Sequence, residues 1–260
     1  MIEVPFPGNP WVHGLFVAFG LVAAGVVFAR EKRRLGLHDD RLWAVAGCAL
    51  AFGALGARLG TWFSDPTIPL WDWWTEGNRS ILSGLLGAWV GVHVGKRATG
   101  YVPSTGDLFA PAVALAMAIG RLGCALTELP GTPTGGPWGM TLPSPYAEAV
   151  GARPGVGLHP SLLYEVAFHA VAFTVLWRLR GRLARPGDLF VSYVAAYALF
   201  RFAVEFVRGN EPFWLGLSGP QVLCLILLPL LVWRLTRVIR DALALRRARI
   251  CRTVARTGGE

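Results

Sequence analysis

Three arginines lie within long apolar stretches of this sequence. Arg58 occurs in GALGARLGTWF, Arg121 in LAMAIGRLGCAL and Arg201 in YALFRFAVEFVR. A guanidinium stays charged at any accessible pH, and placing one in hydrocarbon costs about 2.5 to 3.5 kcal/mol on membrane-insertion scales. Each arginine on its own could extend to the membrane surface or pair with a buried acid. Three such residues could instead converge on one anionic group, which makes an anionic lipid headgroup the first candidate ligand.

Acids and histidines accompany these arginines. The sequence places Glu128, Glu165, Glu205, His13 and His159 close to the same ends of the apolar stretches. Arg201 and Glu205 are four residues apart and Arg208 follows three residues later, so on a helix these three share one face. If all of these charges pair with one another, their role is to stabilise the fold and not to bind a ligand. Three arginines, three glutamates and two histidines together also describe a polar cavity.

The four cysteines carry little chemical information. Cys48, Cys124, Cys224 and Cys251 have neither metal-ligand nor disulfide spacing. The sequence also contains no glycine-rich phosphate loop and no nucleophile elbow. We therefore expect no metal site and no cofactor. Cys124 is of interest only because it follows Arg121 closely, in GRLGC.

The elements that carry these residues are predicted to be membrane-spanning helices. Hydrophobic residues make up 53% of the 260 residues and charged ones 16%, a balance that soluble domains rarely show. Apolar runs near the length of about 20 residues that a bilayer requires recur along the chain. We predict an all-α membrane protein, a single domain over 1–260, with about seven spans. The predicted spans are 11–29, 42–63, 81–95, 107–126, 160–178, 187–207 and 219–239, the third of them short. No cleavable signal peptide is apparent.

The basic residues predict the orientation of these spans. Five Lys and Arg lie in the first loop, two in the third, four in the fifth and eight from Arg234 to Arg256, at the end of the last span and after it, against three in the opposite loops. By the positive-inside rule the N-terminus is outside and the C-terminus inside, with 241–260 as a basic cytoplasmic tail. Topology also explains the net charge of +9, so we expect no nucleic-acid partner.

This orientation places the three arginines in the outer halves of spans two, four and six. The loop over 127–159 lies on the same side and is rich in Gly and Pro. Because it is too long for a simple turn, we predict an ordered periplasmic cap. The site would then face the periplasmic leaflet.

Several motifs resemble those of one known family. GRLGCALTELPGTPTGGPWGM (120–140) resembles the signature of the bacterial prolipoprotein diacylglyceryl transferases, and further matches occur in the same order as in that family. These are VHG (12–14), GARLG (56–60), HPSLLYE (159–165), RFAVEFVR (201–208) and SGPQ (218–221). Together they cover nearly the whole chain.

The resemblance implies an activity. Enzymes of this family transfer a diacylglyceryl group from phosphatidylglycerol to the lipobox cysteine thiol of a preprolipoprotein, at the outer face of the bacterial inner membrane, and release glycerol phosphate. Carried over by position, Arg121 and Arg201 would hold the headgroup and Glu128 and Glu205 would orient them. The remaining substrate-binding residues would be Arg58, Tyr164, Glu165, His159, Ser83 and Arg208.

The sequence also departs from the family pattern. Leu82, beside Ser83, stands where the family has a histidine proposed as the base for the thiol. Cys124 replaces the signature's asparagine, and His13 replaces a tyrosine. Because leucine cannot accept a proton, we hypothesise that His13 is the catalytic base, with His159 as the other available imidazole. Two alternatives remain: a divergent paralogue that binds or moves anionic lipid without transfer, and a transporter. Charges clustered toward one leaflet argue against the transporter.

Overall fold

The chain folds almost entirely into α-helices. The structure is a computed structural model, and it describes residues 1–64, 69, 81–212 and 214–257. Its longer helices are α1 (Pro10–Arg34), α2 (Arg41–Ser64), α3 (Ile81–Thr99), α4 (Gly106–Thr127), α6 (Ser161–Leu179), α7 (Asp188–Val204) and α8 (Gly219–Thr257). The short elements are β1 (Ile2–Glu3), β2 (Met140–Thr141), α5 (Ser144–Ala149) and a 3₁₀ turn over Glu205–Val207.

Six of the described helices are long and apolar enough to cross a membrane. They are Pro10–Arg34, Arg41–Leu59, Gly106–Thr127, Ser161–Leu179, Asp188–Val207 and Gly219–Ala244. Helix α3 is not one of them, because its 19 residues include several glycines and its last turn carries Lys96 and Arg97. The chain is thus a multi-pass membrane protein, while a seventh span and the orientation stay predictions. The same holds for the single domain, the cap and the tail.

The chain forms two compact units. The first comprises Met1–Leu35, Ser104–Glu211 and Cys224–Glu260, and the second comprises Gly36–Pro103 and Pro212–Leu223. In the second unit α2 packs along α3. The backbones approach so closely that a Cβ on Gly87 would lie 2.3 Å from the carbonyl oxygen of Phe52, and one on Gly91 would lie 2.4 Å from that of Cys48. Small residues permit this packing.

Helix α4 is central in the first unit. It packs against α1, α6 and α7, and half of the residues in its most apolar stretch are buried. A Cβ on Gly123 would lie 2.6 Å from the Cβ of Phe16, so glycine lets α4 approach α1 closely. The backbone N–H of Leu189 donates to Asp107 at 3.0 Å, which ties the start of α7 to the start of α4. The polar residues on these helices are thereby brought together.

The segment between α4 and α6 has a small core of its own. Strand β1 pairs in parallel with β2, and the N–H of Val4 donates to the carbonyl of Thr141 at 2.9 Å. Val4, Met140, Leu142 and Ala147 are buried against one another. The segment predicted as a cap is therefore ordered and is joined to the N-terminal residues.

Candidate functional site

Glu165 lies at the centre of a group of buried charges. Its side chain, near the start of α6, is fully buried. Nε of Arg121 on α4 lies 2.8 Å from Oε2, and the hydroxyl of Tyr197 on α7 donates to the same oxygen over 3.3 Å. Nη1 of Arg208 donates to Oε1 at 3.2 Å, and Nη1 of Arg201 lies 4.0 Å from Oε1. One carboxylate thus lies within 4.0 Å of three guanidinium groups.

A second carboxylate holds Arg201. Glu205, which begins the 3₁₀ turn after α7, forms an ion pair with Arg201 four residues earlier and accepts a hydrogen bond from the amide of Asn210. Arg208 follows the turn and also reaches the carboxylate of Glu128, with 3.6 Å between Nη2 and Oε2. Burial lowers the pKa of Arg208, and the nearby guanidinium of Arg121 acts in the same direction. Arg201 and Glu205 are therefore paired as their spacing predicted, whereas Arg208 lies beyond the end of α7 and contacts Glu165 and Glu128.

The buried part of this cluster carries an excess of positive charge. Arg121 and Arg201 are each 6% exposed, and Glu165 and Glu205 are 0% and 5% exposed. The side chain of Arg208 is 15% exposed. Three guanidinium groups therefore face two buried carboxylates, and the third positive charge is met by the half-exposed carboxylate of Glu128, 3.6 Å from Arg208. Buried charges are stable only when paired, so the third guanidinium has either Glu128 or an added anion as its partner. We call Arg121, Glu165, Arg201, Glu205 and Arg208 the arginine cluster.

Glu128 lies beside the arginine cluster and contacts a different group than the sequence suggested. It was expected to orient Arg121 and Arg201, but it lies against Arg208 and against His13, whose Nδ1 is 3.6 Å from Oε1. The helix ends at Thr127, so Glu128 leaves α4 and its side chain is 41% exposed. Cys124 is buried, with its Sγ 3.8 Å from Nδ1 of His13 and 3.9 Å from Nη1 of Arg121. His13, Cys124 and Glu128 form the second polar group of the site.

His159 and Tyr164 are paired at the start of α6. Nδ1 of His159 lies 3.3 Å from the hydroxyl of Tyr164, and its ring meets that of Trp138 edge-on at 5.2 Å. Two other predicted residues belong to the second unit, Arg58 on α2 and Ser83 on α3. Their part in the site stays a prediction.

Sequence reasoning missed two buried residues that extend the arginine cluster. Tyr197 is fully buried and donates to Glu165. His169 is also fully buried, and its Nδ1 is 3.0 Å from the hydroxyl of Tyr193. Helical periodicity contained the signal, because Tyr197 precedes Arg201 by four residues and His169 follows Glu165 by four. Both therefore share a face with a residue that the sequence had already identified.

Motif spacing also missed the grouping of His13 with Cys124 and Glu128. One ligand atom from each lies within 4.8 Å of the others. His13 and Cys124 are 111 residues apart and on different helices, so no local motif could reveal the group.

The fold and the site define a class of protein. It is a multi-pass helical membrane protein in which α4, α6, α7 and the residues after α7 contribute a buried cluster of arginines and glutamates, next to an imidazole, a thiol and a carboxylate. The profile of the family described as prolipoprotein diacylglyceryl transferase matches residues 8–237, and the chain belongs to this family.

Individual relatives agree with this assignment. A Geobacter sulfurreducens protein named phosphatidylglycerol–prolipoprotein diacylglyceryl transferase is 33% identical over 221 residues, which cover 80% of this chain and 81% of the relative. A protein of the same name from Leifsonia xyli is 32% identical over 240 residues, covering 80% and 72%. One from Dehalococcoides mccartyi is 31% identical over 243 residues, covering 86% and 89%.

Proposed function

We propose that this protein transfers the diacylglyceryl group of phosphatidylglycerol to the thiol of a lipobox cysteine in a prolipoprotein signal peptide. The names of its relatives state the lipid and the protein substrate. The observation that carries the proposal is the arginine cluster, because three guanidinium groups held in place by two buried carboxylates suit a phosphodiester within a membrane protein. In the reaction a sulfur–carbon bond forms, the carbon–oxygen bond to phosphate breaks, and glycerol phosphate leaves.

Arg121 and Arg201 bind the phosphate in this proposal. The planar fork of a guanidinium matches two phosphate oxygens, and such charge-assisted hydrogen bonds are about twice as strong as neutral ones. Glu165 and Glu205 fix the two guanidinium groups before the lipid arrives. Charge on the phosphate grows as the carbon–oxygen bond breaks, so preorganised arginines stabilise the transition state more than the bound lipid.

In this proposal the imidazole of His13 accepts the proton of the acceptor thiol. A thiolate is the nucleophile in such a transfer, and an imidazole is suited to take a proton near neutral pH. Glu128, with an oxygen 3.6 Å from Nδ1, stabilises the imidazolium that results. The position is next to Cys124 and thus adjacent to Arg121, so the two halves of the reaction occur side by side.

The other predicted residues shape the binding of both substrates. Tyr164 and His159 present a hydroxyl and an imidazole at the start of α6, and Arg208 links the arginine cluster to Glu128. We assign Arg58 and Ser83 to substrate binding on the family pattern alone.

The proposed setting is the bacterial inner membrane, with seven spans and the site at the periplasmic leaflet. The excess of Lys and Arg in alternate loops supports an outside N-terminus and a cytoplasmic tail over 241–260. Residues 127–159 then form a periplasmic cap.

A divergent paralogue that binds anionic lipid without transfer is the second candidate. Leu82 favours it, because a leucine occupies the position of the family's histidine and cannot accept a proton. Such a protein would use the arginine cluster in the same way.

Reconstitution separates the two functions. Purified protein in phosphatidylglycerol bilayers is mixed with a lipobox peptide, and the mass of the peptide is followed. We expect a gain of one diacylglyceryl group that requires the peptide cysteine, with a cysteine-to-serine peptide as the control. Tight lipid binding with an unmodified peptide would establish the paralogue instead.

A further inference from the structure

His13, Cys124 and Glu128 present three different ligand atoms to one point. Nδ1 of His13 is 3.8 Å from Sγ of Cys124 and 3.6 Å from Oε1 of Glu128. All three ligand atoms lie within 4.8 Å of one another. A nitrogen, a sulfur and a carboxylate oxygen are the atom types that bind zinc in proteins.

The helices hold these atoms in place. Asn9 caps α1 by accepting hydrogen bonds from the N–H groups of Trp11 and Val12, which fixes the first turn where His13 lies. Cys124 and Glu128 are four residues apart, and the N–H of Glu128 donates to the carbonyl of Cys124 at 2.7 Å. Gly123 lets the two helices approach at this level. The backbone positions of the three residues are thus fixed by helix packing and capping.

Two of the three separations are close to those of a tetrahedral zinc site. Zinc bonds of about 2.3 Å to sulfur and about 2.0 to 2.1 Å to nitrogen or oxygen place tetrahedral ligand atoms about 3.6 Å (N to S) and about 3.4 Å (N to O) apart. The 3.8 and 3.6 Å found here each exceed those values by about 0.2 Å. The third separation, between the sulfur and the carboxylate oxygen, is within 4.8 Å, so the three side chains would have to draw together around the ion. Three protein ligands leave one tetrahedral position for another molecule, as in catalytic zinc sites.

The charges nearby are compatible with a divalent cation. A thiolate at Cys124 and the carboxylate of Glu128 would supply two negative charges, although Glu128 also faces Arg208 at 3.6 Å and Cys124 faces Arg121 at 3.9 Å. Arg121 already has the carboxylate of Glu165 at 2.8 Å. Cys124 is buried, whereas the side chains of His13 and Glu128 are 20% and 41% exposed, so an ion can reach the group. The thiolate ligand disfavours Mg²⁺ and Ca²⁺, which prefer oxygen.

We propose that His13, Cys124 and Glu128 bind one Zn²⁺ ion, and that this ion activates the acceptor thiol. The second part rests on the proposed function. A thiol that coordinates zinc is deprotonated, so the ion keeps the lipobox sulfur as a thiolate and its proton passes to water. The sulfur then forms the bond to the glyceryl carbon while glycerol phosphate leaves. In this refinement of the proposed function, His13 is a zinc ligand and does not accept the proton itself. The reaction then needs no histidine at position 82, where this chain has Leu82.

Zinc binding is tested on the full-length protein without any activity assay. Purified protein is equilibrated with Zn²⁺, dialysed and measured for metal content, and Co²⁺ substitution reports a thiolate-to-cobalt absorption band. We expect one zinc per chain in the wild type. Affinity should fall more than about 100-fold in Cys124→Ala and in Glu128→Gln, since losing even an outer-sphere partner costs about 10- to 100-fold. Cys48→Ala, which removes a thiol on α2, is the matched control and should keep the zinc.

The outcomes decide the two parts separately. The zinc site is overturned if the wild type binds no zinc or if Cys124→Ala keeps its zinc. Thermal unfolding checks that each variant is folded. Glu128→Gln is a second test, because it changes a half-exposed side chain to one of the same shape. For activation, protein stripped by a chelator should lose transfer and regain it with Zn²⁺. Full transfer by the stripped protein would overturn activation and leave His13 as the base. If no preparation transfers while zinc binding follows the ligands, the proposed function fails and the site stands.

Discussion

Glu165 has contacts with guanidinium groups from two helices and from the turn that follows α7, so single side chains of the arginine cluster depend on one another. Removing one arginine leaves the carboxylate with fewer donors and also lowers the positive charge available to a ligand. Removing the carboxylate would leave Arg121 without its ion-pair partner, while Arg201 would keep Glu205 and Arg208 would keep Glu128. Breaking a buried ion pair on one side commonly costs about 3 to 5 kcal/mol, so lipid affinity has to be compared with stability for each variant.

Arg121→Ala and Arg201→Ala should each weaken binding of phosphatidylglycerol. Each removes charge-assisted hydrogen bonds to phosphate worth about 1.5 to 3 kcal/mol, a loss of about 10- to 150-fold in affinity. The Lys variants should recover little, because the two-pronged geometry is lost. Binding is measured by lipid titration in detergent, with the exposed Arg153→Ala as control. Folded Ala variants with wild-type affinity would contradict the assignment.

His13→Ala should lower the rate of transfer by about 100-fold or more, because the nucleophile would no longer be deprotonated, whether His13 acts as the base or as a ligand of the proposed ion. Phosphatidylglycerol affinity should stay close to wild type, because His13 contacts Glu128 and Cys124, which the proposal does not assign to the phosphate. Peptide modification and lipid titration are measured on the same preparations. His93→Ala, at an exposed histidine on α3, is the matched control. If His13→Ala lowers the rate, adding Leu82→His to that variant should restore part of the loss. A wild-type rate in His13→Ala would instead show that His13 has no part in the reaction.

At the scale of elements, small residues set the distances between helices. The α2–α3 pair and the α1–α4 pair both approach where glycine replaces any larger side chain. Helix α4 contacts α1, α6 and α7, so it carries Arg121 and Cys124 to the side chains of the other helices. The geometry of both polar groups therefore depends on backbone packing as much as on the polar residues.

Gly91→Ala should destabilise the protein by about 1 to 3 kcal/mol, as expected for overpacking. The new Cβ would lie 2.4 Å from a carbonyl oxygen of α2, which cannot move independently of its helix. Gly47→Ala on α2 meets nothing within 4 Å, and should be neutral or slightly stabilising. Thermal unfolding in one detergent compares the two. Equal transition temperatures would show that the helices separate easily at this level.

Much of the fold and of the arginine cluster could be predicted from the sequence. Arg121, Arg201 and their glutamates were recognisable because charged residues in apolar runs are rare, and helical spacing joined Arg201 to Glu205. Glu165 was identified as a lining residue, but its central position depends on how three elements meet. The His13–Cys124 contact depends on the crossing of two helices that are distant in sequence. Strands of two residues, such as β1 and β2, lack a pattern long enough to detect.

At the scale of the whole molecule, the topology determines which solution each end of the helices meets. A reporter fused after Arg256 should be cytoplasmic, because basic residues concentrate on that side. In a background without reactive cysteines, Pro133→Cys, exposed in the predicted cap, should react with an impermeant reagent added outside intact cells. His38→Cys, in the first loop, should react only after the membrane is opened. The reverse labelling pattern would invert the proposed orientation.

The pairing of Arg121 with Glu165 has a consequence for how the protein is made. Ribosomes deliver α4 before α6, so the guanidinium of Arg121 has to enter the bilayer while its carboxylate partner has not yet been synthesised. Insertion of α4 alone then carries part of the cost of about 2.5 to 3.5 kcal/mol that an arginine at the centre of a span incurs, because Arg121 lies nearer the C-terminal end of α4. Chains truncated before Ser161 should therefore insert α4 less completely than chains that extend past Leu179, as scored by a glycosylation reporter in microsomes. Glu165→Gln in the longer chain should reproduce the defect of the shorter one, and equal insertion of all three would show that lipid or the translocon alone accommodates the charge.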